Sequence, residues 1–102
     1  MNKQPGDITE LLKEHVQSLD PYAEITLLFP QGKGRDEELQ VYVLSPNRVD
    51  FGLEQKYLNA RYQVELHSGH SLSLYVYSKE DWHKQFSNTP IYHKVNTEGI
   101  VL

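Results

Sequence analysis

Residues 23–44 read AEITLLF-PQGKGRDE-ELQVYVL, which is strand, glycine-bearing loop, strand. Alternation puts Ile25, Leu27 and Phe29 on one face of the first strand and Glu24, Thr26 and Leu28 on the other. The second strand turns Leu39, Val41 and Val43 inward. Glu38, Gln40, Tyr42 and Leu44 take its opposite face. A glycine loop between two strands can bring backbone N–H groups close to a phosphate, and carboxylates on the next strand can hold Mg²⁺. Gln31, Gly32, Lys33 and Gly34 are the loop candidates, and Glu38 is the metal candidate. Neither GxxxxGK[ST] nor GxGxxG occurs, so a solvated connection between strands is the plainer reading of the loop. A half-exposed polar strand face is the plainer reading of Glu38 and Gln40.

Around this unit the periodicity becomes helical. Ile8, Leu11, Leu12, His15, Val16 and Leu19 mark a helix over 7–19, with Asp7 and Glu10 in capping-box spacing. Asp20-Pro21 stops it, because the residue before proline avoids the α region. Leu53, Tyr57, Ala60 and Val64 mark a second helix over 53–67, flanked by Leu58 and Leu66, with Gly69 as its C-cap. Residues 71–77, SLSLYVY, form a third strand with Leu72, Leu74 and Val76 on one face. Ser71, Ser73, Tyr75 and Tyr77 take the other. Ser78 caps a short third helix anchored by Trp82 and Phe86, and Thr89-Pro90 opens a last segment, IYHKV. The expected fold is α+β in the order α-β-β-α-β-α, a small mixed sheet with helices on the Leu39/Val41/Val43 face.

The chain has 102 residues, which suits one domain over 1–102. Folding at this length buries roughly 65% of the unfolded surface. Hydrophobic content of 38% and charged content of 24% are those of a soluble globular domain. A net charge of −4 with scattered Lys and Arg argues against nucleic acid as partner. No apolar run reaches membrane-span length, so no membrane partner is expected. The absence of Cys excludes disulfides and thiolate metal sites and fits a cytoplasmic setting. His67 and His70 flank a turn glycine with no carboxylate beside them in sequence, which is poor metal-site spacing. Seven Tyr is a surplus that goes to core edges or interfaces. Tyr42, Tyr75 and Tyr77 share one sheet face by alternation. Two readings of them stand: a protein-binding face, or packing beneath the C-terminal segment.

The tail carries a family resemblance. Tyr77-Ser78-Lys79-Glu80-Asp81-Trp82 resembles the Tyr-Ser-Lys-x-x-Trp segment after the third strand in a bacterial branch of the minimal nucleotidyltransferases, within the DNA-polymerase-beta-like superfamily. Thr89-Pro90-Ile91-Tyr92, Val95 and Glu98-Gly99-Ile100 resemble its Thr-Pro-Phe-Tyr…Val…Glu-Gly-Ile ending. The resemblance implies a nucleotidyltransferase-like fold. In that family a Gly-Ser pair cradles the triphosphate, and Ser-Asp-x-Asp on the second strand binds metals. Here Phe29 matches, but Pro30-Gln31 replace Gly-Ser, and proline has no N–H for a phosphate. Glu38 and Gln40 align with the two Asp positions, and Ser73 stands where a third carboxylate occurs. Mg²⁺ sites use one or two carboxylates plus substrate phosphates, and two-metal transfer needs more. The expectation is a degenerate, inactive member, a pseudoenzyme that needs no cofactor. It would act as a homodimer or oligomer, or as partner of another nucleotidyltransferase-like protein. The alternative is an active Mg²⁺-dependent nucleotidyltransferase using Glu38 with help from Asp36 or Glu37.

Overall fold

The structure, a computed structural model, describes residues 8–29 and 38–102. The Asp7 cap, Pro30, the loop candidates Gln31, Gly32, Lys33 and Gly34, and Asp36 and Glu37 lie outside the described residues.

Helix α1, Ile8–Leu19, buries Leu12 and Val16. Strands β1, Glu24–Leu28, and β2, Leu39–Ser45, pair antiparallel with Ile25 opposite Val43 and Leu27 opposite Val41. Helix α2 covers Phe51–Ser68. It starts two residues before the expected point because the Asp50 side chain accepts the Leu53 N–H at 2.9 Å and caps the helix. Gly69 closes α2 with φ 75°, a left-handed conformation that costs glycine little. Strand β3, Leu72–Ser78, then pairs parallel with β2, Tyr42 beside Tyr75 and Val43 beside Val76.

The chain continues past the expected order. The Ser78 hydroxyl caps α3, Lys79–Gln85. The Thr89 hydroxyl caps a further helix, α4, Pro90–Glu98, with Pro90 in its first turn. Strand β4, Ile100–Val101, returns antiparallel to β1. The order is therefore α-β-β-α-β-α-α-β, and the sheet runs β3-β2-β1-β4. Gly99 lets the chain make that return. A methyl group there would run into the Thr26 methyl and the Val95 carbonyl.

Helices lie on both sheet faces, which corrects the expectation of helices on one. On the first face Leu12, Val16, Tyr57 and Val64 pack on Ile25, Leu27, Val41, Val43 and Leu72, as the alternation requires. On the second face Trp82 and Val95 pack on Leu28, Tyr42 and Leu44, with Tyr77, Phe86, Ile91 and Tyr92 around them. The second face is thus a second core, roofed by α3 and α4. Trp82 is fully buried at its centre. Its ring stands 5.0 Å from Tyr77, 5.2 Å from Tyr92 and 5.7 Å from Phe86, within the range of favourable aromatic pairs.

Asp20 does more than end α1. It is 2% exposed and accepts the Tyr57 hydroxyl at 2.8 Å and the Asn47 amide at 3.2 Å. A buried carboxylate needs such partners. The pair of bonds fastens α1, the β2–α2 connection and α2 to one point. Burial, then the Asp20 bond and charge, push the Tyr57 hydroxyl well above the usual phenol range.

Candidate functional site

The three remnant positions come together at one end of the second face. Gln40 and Ser73 are partners in the parallel β2–β3 ladder. The Ser73 hydroxyl donates to Glu38 Oε1 at 2.8 Å. The Tyr42 hydroxyl donates to Gln40 Oε1 at 2.9 Å. One carboxylate oxygen of Glu38 and the amide oxygen of Gln40 are therefore each engaged by a neighbouring hydroxyl. Of the three positions only Glu38 brings charge. Among the described residues no group of three His, Cys, Asp or Glu could hold a metal ion. His67 and His70 are exposed, and His67 stacks on His15 at 6.4 Å.

The three tyrosines divide. Tyr42 is 4% exposed, stacks on Tyr75 at 5.0 Å and lies 6.2 Å from the Trp82 ring. Tyr77 is half-buried against Trp82 and Phe86. Tyr75 remains 40% exposed, because β3 is the edge strand and the helical roof does not reach it. Burial raises the Tyr42 hydroxyl to about 12, helped by Tyr75 and Tyr77. Tyr77 is raised for the same first cause. Both phenols keep their protons at neutral pH, so Tyr42 serves as a fixed donor to Gln40.

A second feature lies around the same edge on the first face. Phe51, Leu58, Tyr62 and Leu66 each leave more than half their surface exposed on the outside of α2. Leu58 and Leu66 were expected beside the core stripe. The structure turns them outward, because Tyr57, Ala60 and Val64 form the buried face of α2 and share the space above the sheet with Leu12 and Val16 of α1. Leu58 also lines an apolar groove with Tyr57, Leu74, Val76 and Glu54. The groove holds about 240 Å³, below the roughly 300–1,000 Å³ of small-molecule pockets.

The resemblance offered no signal for this surface, since α2 lies outside the tail motif. The signal available was the fourfold and sevenfold spacing of Phe51, Leu58, Tyr62 and Leu66, hidden by the inward stripe of the same helix. Among the described residues no helix is long and apolar enough to cross a membrane. No family model, curated protein or solved structure matches the chain.

Proposed function

We propose that this chain is a degenerate nucleotidyltransferase-fold protein that has lost nucleotide transfer and acts through protein binding, as a homodimer or with another nucleotidyltransferase-like protein. One observation carries the reading. The positions that the resemblance assigns to metal ligands hold one carboxylate, one amide and one hydroxyl, with Ser73 donating to Glu38 and Tyr42 donating to Gln40. A single carboxylate flanked by a hydroxyl and an amide is a poor donor set for two Mg²⁺ ions, which need several charged oxygens to offset dehydration. Tyr42 is also packed between Tyr75 and Trp82, so the face beside it is filled by side chains. The exposed apolar stripe of α2 supports the binding half of the proposal, because contiguous apolar surface on a small chain marks interaction sites.

The test is nucleotide transfer. The chain is incubated with Mg²⁺ and each labelled NTP, with protein, nucleic acid and small acceptors present. No label should move, and Mg-ATP and Mg-GTP should leave the melting temperature unchanged. Transfer that disappears in Glu38→Ala would overturn the proposal in favour of the Mg²⁺-dependent nucleotidyltransferase.

A further inference from the structure

We infer that β3 is the seam of a homodimer, pairing antiparallel with β3 of a second copy about a two-fold axis at Tyr75, with the two α2 stripes packed together above it. The inference rests on the binding reading above and names its partner and surface.

The strand itself is the first argument. β3 borders the sheet and runs seven residues in unbroken register with β2, from Leu39 beside Leu72 to Ser45 beside Ser78. Edge strands are usually protected by charge, proline, a bulge or brevity. Residues 71–78 hold no charged residue and no proline, and the register shows no bulge. The Leu72 N–H is taken by the Glu65 carboxylate at 2.9 Å rather than by β2. By alternation, the N–H and C=O groups of Leu74 and Val76 then point to the open side.

The strand is complementary to itself. With Tyr75 on the axis, Leu74 of one copy meets Val76 of the other. These are a hydrogen-bonded pair, and each is apolar toward α2. On the opposite face Tyr75 meets its own copy, and Ser73 meets Tyr77. No like charges meet anywhere along the seam, so the net charge of −4 is kept away from it.

The helix completes the surface. At 100° per residue, Phe51, Leu58, Tyr62 and Leu66 fall within an arc of roughly 80°. The arc begins at Leu58, which lines the groove above Leu74 and Val76 at the open edge, and Phe51 and Tyr62 follow it on the helix within roughly 40°. α2 carries Glu65 beside Leu72 and Glu54 in the groove with Val76, so it runs opposite to β3. The two-fold therefore sets the two α2 helices antiparallel with Leu58 nearest the axis. Glu54 of one copy comes to face Arg61 of the other, acid to base. Large side chains bury about 150–250 Å² each, so the four stripe residues have roughly 500 Å² of surface left to cover. The backbone edge and Tyr75 bring this close to the roughly 800 Å² per partner of a stable interface.

The chain has no Cys, so single-cysteine variants give a clean readout of register. Tyr75→Cys places two thiols beside each other on the axis, in a pair that shares no backbone hydrogen bonds. Mild oxidation should link most of the protein into a dimer. Ser71→Cys places its thiols roughly 27 Å apart at about 3.4 Å per residue and should not link. Wild type should sediment as a dimer. Leu58→Glu and Tyr62→Glu, both on the exposed stripe, should shift it to monomer with an unchanged circular dichroism spectrum. A dimer in which Tyr75→Cys stays unlinked, or Ser71→Cys links equally, overturns the β3 seam and leaves self-association standing. A wild-type monomer at high concentration overturns the inference outright. The nucleotide-transfer assay is independent of both results.

Discussion

The two edges of this sheet are finished in opposite ways. At one end β4 contributes two residues, Ile100 and Val101, and the sheet stops. The tail that delivers β4 has already laid α3 and α4 over the second face and buried Trp82. At the other end β3 runs seven residues with no cover among the described residues beyond the Glu65 bond at its start. The neighbouring α2 turns four large apolar side chains outward, and one of them, Leu58, stands beside Leu74 and Val76 of β3. The same residue type meets both fates. Tyr42, on an inner strand, is sealed beneath Trp82, while its ladder partner Tyr75 stays exposed on the edge. The reach of the helical roof decides which tyrosines of this face become core: it takes in Tyr42 and, on the edge strand, Tyr77, but not Tyr75. The chain covers the second face with its own tail, and the β3 edge has no such cover among the described residues.

The sharpest way to break this contrast is at the sealed side. Trp82→Ala removes the centre of the second core, and such truncations typically cost about 3–5 kcal/mol. That is a large share of the stability expected for a domain of this size. Chemical denaturation should show the midpoint falling accordingly. A variant that melts within a degree or two of wild type would mean that the roof contributes little, and the contrast would fail.

Alkaline pH probes the same side more gently. Tyr42 titrates at about 12 when folded, above its ordinary value near 10, because burial disfavours the phenolate. A raised folded pKa means stability that is complete below pH 10 and is lost as pH climbs from 10 toward 12. Tyr57 and Tyr77 shift in the same direction and add to the loss. Urea midpoints measured at pH 8 and pH 11 should fall for wild type and fall less for Tyr42→Phe. Equal losses in the two proteins would show that Tyr42 is not sealed.

The smallest effect belongs to the open side. Leu66→Ser and Tyr62→Ser remove exposed groups, so the monomer's stability should change by no more than about 0.5 kcal/mol. Thermal melts at low concentration check this. A cost of several kcal/mol would place these side chains in the chain's own core.

The strands and the first two helices were legible because their periods are unambiguous. Ile25, Leu27, Val41 and Val43 alternate, and Leu12, Val16, Tyr57 and Val64 repeat at helical spacing. The second core was less so. Thr26 and Leu28 read as an outward face, and only the roof built much later in the chain makes them buried. α4 sets only Ile91, Tyr92 and Val95 against the core, too short a stripe to declare a helix alone. Asp20 read as a helix stop because its partners, Asn47 and Tyr57, lie 27 and 37 residues away. At the candidate site the meeting of Glu38, Gln40 and Ser73 followed from alternation and pairing. The Ser73–Glu38 and Tyr42–Gln40 hydrogen bonds did not, since side-chain geometry has no period.

Amide hydrogen exchange, followed residue by residue at two protein concentrations, tests the contrast between the edges most directly. Val43, on the inner strand, should be protected equally at both concentrations. Leu74 and Val76 should exchange quickly in dilute protein and become protected as concentration rises, because a second β3 then takes their N–H groups. Protection of Leu74 and Val76 that is the same at every concentration would contradict the account, whether those amides are always covered or never covered.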